Sequence, residues 1–147
     1  MSLYKKILIA VDFSAATSRV VEQGIGMANK LGAKLHFIHV VEYLPPVDFA
    51  NDPIAIPDWY AAEDEIIKRA EKSLQQIIQE NKLQDTQSLV ISGAPKHEII
   101  QYAKDNDIDL IVIGSHGRHG FQRLLGSTAN PVVHNAECDV LAVRIHE

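Results

Sequence analysis

Cys138 is the only cysteine in 147 residues. An internal disulfide is therefore impossible, a cysteine-rich metal site is excluded, and a reducing, cytoplasmic setting is the expectation. Basic charge is also scarce: 14 Lys and Arg stand against 19 Asp and Glu, a net charge of −5. No stretch gathers more than a few cations, so the electrostatic footprint of a nucleic-acid binder is missing. Long apolar runs are absent as well. The opening run Ile7-Leu-Ile-Ala-Val11 is too short for a membrane span and carries no cleavage region of a secretory leader. With 46% hydrophobic and 22% charged residues the chain is far from the composition of disorder. One domain over residues 1–147 is expected, able to bury roughly two thirds of its unfolded surface.

Ile7 to Val11 is a β-branched run that stops at Asp12-Phe13-Ser14, where Ser14 is a candidate helix cap. Val20, Val21, Ile25, Met27, Ala28 and Leu31 recur at helical spacing up to Gly32, a residue suited to closing a helix. Lys34 to Val41 reads as a second buried strand. Four of the six prolines, Pro45, Pro46, Pro53 and Pro57, fall between Glu42 and Tyr60, which predicts a long loop, either a functional lid or an idle excursion. Ala61 to Asn81 is an amphipathic helix with Ile66, Ile67, Ala70, Leu74, Ile77 and Ile78 on its apolar stripe. Ser88–Ser92 is a short strand, Gly93-Ala-Pro95 a turn, His97 to Asp105 a helix and Asp109–Ile113 a buried strand. The glycine-containing stretch Gly114 to Gly126 leads into a helix reaching about Ala136, and Asp139 to Ile145 is a last strand.

Five strands alternating with four helices predict an α/β fold: a single doubly wound, five-stranded parallel sheet with helices on both faces. In such sheets ligands bind beyond the carboxyl ends of the strands, where strand order reverses. The candidates at those ends are Ala10 to Ser14, Val40 and Val41, Ser92-Gly93, and Ile113 onward. The segment Gly114-Ser-His-Gly117-Arg118-His-Gly120-Phe-Gln-Arg123-Leu-Leu-Gly126-Ser127-Thr128 is the richest. Its glycines permit close backbone approach, Gly126-Ser127-Thr128 steps into a helix start, and Arg118 and Arg123 supply cations, all of which suit a phosphate. An equal reading from local pattern alone makes Gly114 and Gly117 turn residues and Ser127 a cap. Pro131 complicates that cap, because a helix capped by Ser127 would need the amide that proline lacks, whereas Asn130 as cap places Pro131 at the first helical position. The stretch is neither a P-loop nor a G-x-G-x-x-G fingerprint.

Ile9-Ala-Val-Asp12-Phe-Ser14, His39-Val40, and Gly114-Ser-His-Gly117-Arg with Gly126-Ser127 resemble, in order and along nearly the whole chain, the universal stress protein family. In the nucleotide-binding branch of that family the glycine stretch reads G-x2-G-x9-G-[S/T] and holds ATP. The resemblance implies the strand order 3-2-1-4-5 and a stress-responsive regulatory module that binds ATP or AMP and works through a protein partner the sequence does not identify. It places Ala10, Val11 and Val40 around adenine and Asp12 near ribose. Gly114, His116, Gly117, Arg118, Gly126, Ser127 and Thr128 then lie along the phosphates, with Ile113 completing the strand end. Here Arg118 to Leu125 leaves eight residues between the second and third glycines instead of nine. Gly126-Ser-Thr-Ala-Asn130 and Cys138–Val143 are similar to the branch not thought to hold ATP. The alternative is therefore a nucleotide-free member acting only through dimerisation and protein partners.

Other chemistry finds little support. His36 and His39 lie three apart on a strand and face opposite sides, so they cannot share a metal. His116 and His119 have no cysteine or carboxylate beside them, and Cys138 reads as a small hydrophobe. Asp12 suits a Mg²⁺ shared with Ser127 as well as it suits ribose or a helix start. No Ser-His-Asp elbow or carboxylate dyad is present, so no catalytic residue is assigned and ATP hydrolysis is expected to be slow and incidental at most. A flavodoxin-like carrier would want glycine after the first strand, and a phosphoacceptor receiver would want clustered acids there. Finally, Asp139–Ile145 is apolar on both faces without proline, an edge that must be covered. A homodimer pairing these strands across a two-fold axis is the expectation, and the resemblance points the same way.

Overall fold

Ile7, Leu8 and Ile9 have no exposed surface, the condition of a strand in mid-sheet with helices on both sides. The computed structural model describes residues 3–42, 55–116 and 125–145. Its elements run β1 (Lys6–Ala10), α1 (Thr17–Leu31), β2 (Lys34–Val41), α2 (Ala55–Glu80), β3 (Gln87–Ser92), α3 (Pro95–Asp105), β4 (Leu110–Gly114), α4 (Ala129–Asn135) and β5 (Asp139–Val143). The strands form one sheet in the order β3-β2-β1-β4-β5, with every pairing parallel. The expected doubly wound α/β architecture is the one found.

Alternate residues of β1 feed two cores. Ile7, Ile9 and Val11 pack with Val20, Val21 and Ala28 of α1 and with Leu74 and Ile78 of α2. Leu8 and Ala10 pack with Ile99 and Ala103 of α3 and with Ala129 and Val132 of α4. α1 lies so close to β1 that a Cβ at Gly24 would collide with Ile9 Cδ1. Gly32, at φ 67°, closes α1 by donating its N–H to Ala28 O, a left-handed turn in which glycine has no side chain to clash. At the start of the sheet the carboxylate of Asp109 accepts the backbone N–H groups of Lys5 (2.8 Å) and Lys6 (3.0 Å), and the Asp109 N–H donates to Lys6 O (3.1 Å). The entry to β1 is thereby tied to the entry to β4.

Several boundaries differ from the sequence-based expectation. α2 begins at Ala55, not Ala61, and contains Pro57; a proline in a first helical turn loses no helical hydrogen bond, so it did not end the helix. The rest of the expected loop, residues 43–54, lies outside the described residues. α3 begins at Pro95 rather than His97, with proline in the first turn. β5 stops at Val143, not Ile145, because Arg144 O accepts Arg19 Nε (3.0 Å) and Ile145 N–H donates to Ser115 Oγ (3.1 Å), which draws the chain away from the ladder. Cys138 is half-buried against the second core, where burial pushes its thiol pKa up. Among the described residues no helix is long and apolar enough to cross a membrane.

Candidate functional site

Beyond the carboxyl ends of β1, β2 and β4 lies a cleft of about 560 Å³, inside the range of roughly 300–1,000 Å³ usual for small-molecule sites. Its first wall is the turn after β1. Val11 N–H still donates to Ile38 O (3.0 Å), and then the chain leaves the sheet. Phe13 turns it in the left-handed region, φ 55°, at a cost of about 1–2 kcal/mol for a residue with a Cβ. The turn is held from both sides. The Phe13 ring lies 4.4 Å from the His39 ring, centroid to centroid, and His39 Nδ1 donates to Val11 O at 2.8 Å. Asp12 Oδ1 accepts the Ser14 N–H (3.0 Å) and the Thr17 hydroxyl (3.4 Å). Ser14 does not cap α1: its Oγ accepts the Ala16 N–H within the turn, and Ala16 is the cap residue, without a side-chain bond.

The second wall follows β4. Gly114 lets α1 approach, since a Cβ there would stand 3.3 Å from Val20 Cγ2. Ser115 is buried, and its Oγ lies 3.0 Å from His116 Nδ1. His116 Nε2 is buried, and among the described residues it has no hydrogen-bond partner. The seven-residue α4 has Thr128 as its cap position, so neither Ser127 nor Asn130 fills that place. Pro131 is then the third helical residue, whose N–H has no intrahelical acceptor in any helix, and the proline is accommodated. Gly126 donates its N–H to Ser115 O at 2.7 Å and accepts from Asn130 N at 3.0 Å. Its amide is therefore committed within the protein and is not a free donor for a phosphate.

Of the twelve residues singled out in the sequence, Ala10, Val11, Asp12, Val40, Ile113, Gly114, His116, Ser127 and Thr128 line the cleft. Gly126 is buried beside it, and Gly117 and Arg118 lie outside the described residues. The structure adds a wall that no local motif announced: Ile66, Arg69, Ala70 and Ser73 of α2, and Pro95 and Ile99 of α3. The Arg69 guanidinium is 2.7 Å from Glu65 Oε1, one turn earlier on the helix, and both side chains are largely exposed.

The cleft thus joins apolar surface from Ala10, Ile38, Val40 and Ile113 to hydroxyls and an imidazole from Ser127, Thr128 and His116. That donor set fits a ligand with an apolar, planar end and an acceptor-rich end, as a nucleotide has. Asp12 keeps one carboxylate oxygen outside the turn's hydrogen bonds. Among the described residues no group of three or more His, Cys, Asp or Glu is placed to hold a metal ion. His36 and His39 do face opposite sides, His36 toward Tyr102 and His39 toward Phe13.

A sequence model of the universal stress protein family matches residues 3–144. Universal stress protein A homolog 2 of Coxiella burnetii is 40% identical over 99% of this chain and 98% of its own length. Universal stress protein UspA from Lactobacillus plantarum has a similar solved structure, with a TM-score of 0.83 at 29% identity, covering 96% of this chain and 98% of that one. Two more distant structures share the fold. A universal stress protein in complex with cAMP has a TM-score of 0.64 at 21% identity, covering 97% and 98%. The Archaeoglobus fulgidus universal stress protein in complex with dAMP has a TM-score of 0.65 at 19% identity, covering 95% and 98%.

Proposed function

The chain belongs to the universal stress protein family, and from that premise we propose that it is a regulatory protein of the stress response that binds ATP or AMP in the cleft at the carboxyl ends of its strands. The observation that carries this reading is the pairing, in one cleft, of an apolar wall with a hydroxyl- and imidazole-bearing wall. The adenine lies among Ala10, Val11, Val40 and Ile113, and the ribose near Asp12. The phosphates run along Gly114, His116, Ser127 and Thr128, where Gly117 and Arg118 also belong. Gly126 shapes this end from behind, through its bond to Ser115. A Mg²⁺ carried in with the phosphates meets Asp12 or Ser127. The cAMP and dAMP complexes of distant relatives support an adenine nucleotide. The protein acts by presenting the bound state to a partner, as a homodimer joined along β5.

A second reading has one specific observation behind it. The glycine stretch is one residue shorter than the ATP-holding pattern, and on that reading the chain works without nucleotide, through dimerisation and protein contacts alone. Calorimetry on protein stripped of bound small molecules separates the two. ATP or AMP should give saturable heat at one site per chain, and no heat at millimolar nucleotide leaves the second reading standing.

A further inference from the structure

Ser115 is 6% exposed, and each of its polar atoms is engaged. Its N–H donates to Val143 O (2.8 Å) and its carbonyl accepts from Gly126 N (2.7 Å). Its Oγ accepts from Ile145 N (3.1 Å) and lies 3.0 Å from His116 Nδ1. A hydroxyl carries one proton, and the backbone N–H of Ile145 can only donate. Among the described residues the acceptor left for that proton is His116 Nδ1. Nδ1 is then the bare nitrogen and the ring proton sits on Nε2. Nε2 is the buried atom that has no partner among the described residues, and a buried N–H without an acceptor is costly. The residue that bears it lines the cleft, at the end walled by Ser127 and Thr128.

We propose that Ser115 is a positioning residue of the nucleotide site, holding His116 in the tautomer whose Nε2–H donates to a phosphoryl oxygen of the ligand. The proposal rests on the nucleotide reading above. An ionised phosphoryl oxygen only accepts, so it suits one tautomer and is repelled by the lone pair of the other. A hydroxyl or amine of the ligand would tolerate both. Ser115 therefore contributes to recognition of the phosphate end without touching the ligand.

Long-range ¹H–¹⁵N spectra of the imidazole nitrogens, recorded on the full chain, read the tautomer, and titrations with ATP and with adenosine read its consequence. Wild-type His116 should show a protonated Nε2 and a bare Nδ1. In Ser115→Ala the ring should pass to a mixture of tautomers, and ATP should bind about tenfold more weakly, the worth of one hydrogen bond to a charged group. Adenosine affinity should stay within about twofold, since adenosine has no phosphoryl oxygen. Ser115→Thr, which keeps the hydroxyl, should restore both tautomer and ATP affinity. A wild-type ring protonated on Nδ1 overturns the proposal even if Ser115→Ala does not fold. ATP binding that is normal in wild type and unmoved, relative to adenosine, in Ser115→Ala overturns it alone. A wild type that takes up no ATP removes the nucleotide reading and this proposal together.

Discussion

His36 of β2 and Tyr102 of α3, 66 positions apart in the chain, meet with Nδ1 and the phenol oxygen 2.7 Å apart and their rings edge to face at 5.8 Å. His36 is 4% exposed, and burial first, then the charges of Lys6 and Lys34, hold its pKa below the ordinary 6.5. The unfolded chain therefore takes up this proton at a higher pH than the folded chain does. The stability tied to neutral His36 is complete above 6.5 and is lost as pH falls from there toward the lowered folded value. Urea midpoints should drop between about pH 7.5 and about pH 5.5, and less steeply in His36→Leu. Equal slopes in the two proteins would count against His36 as the titrating group. Tyr102→Phe should cost about 1–2 kcal/mol at neutral pH by leaving the imidazole short of a partner.

Two glycines of α1 should respond in opposite directions to the same substitution. Gly24→Ala drives a methyl into Ile9, which is wholly buried, and should destabilise by about 1–3 kcal/mol despite the better helix propensity of alanine. Among the described residues nothing outside the backbone of α1 lies within 4 Å of the missing Cβ of Gly26, so Gly26→Ala should stabilise by up to about 1 kcal/mol. Thermal or urea unfolding of the two variants decides, and a stable Gly24→Ala would mean that α1 can shift off the sheet.

Ser127 is exposed at the cleft, so its hydroxyl can be removed without disturbing a core. Ser127→Ala should lower ATP affinity about tenfold and leave the unfolding midpoint unchanged. Unaltered ATP binding in a fully folded variant would take Ser127 out of the phosphate end.

β5 is the last strand of the sheet, with Val140, Leu141 and Ala142 only partly covered. Among the described residues no strand pairs with its outer edge, whose N–H and C=O groups suit another strand. Sedimentation equilibrium should give about twice the chain mass, and Ala142→Pro, which interrupts the ladder, should move it toward monomer. Wild type that stays monomeric at high micromolar concentration refutes pairing along this edge.

The strands were legible because each is a short β-branched or apolar run bounded by turn residues; their alternation with helices pointed to a parallel, doubly wound sheet, and the strand order came with the family resemblance. Helix starts were not, and the reasons are local. Ser14 has the chemistry of a cap, but the left-handed turn at Phe13 and the Asp12 carboxylate reposition it, so α1 begins beyond it. Pro57 looked like a breaker, whereas in a first turn it breaks nothing. The strand-end half of the cleft followed from topology alone. The wall from α2 did not, since Arg69 and Ser73 flank an ordinary apolar stripe and reach the cleft only through the way that stripe packs. Ile66 belongs to that stripe, and only the packed helix shows it 37% exposed at the cleft.

The clamp of Asp109 on the amides of Lys5 and Lys6 has a mechanical consequence. β1 is the middle strand, and the chain enters it at the end of the sheet opposite to the end from which β5 leaves. Tension between residues 3 and 145 therefore pulls β1 and β5 lengthwise, so the ladders with β4 are loaded in shear and many hydrogen bonds must fail at once. The clamp sits where that load enters. In a single-molecule pulling experiment Asp109→Ala should lower the unfolding force by letting the first residues peel one bond at a time, and an unchanged force would place the resisting element deeper in the sheet.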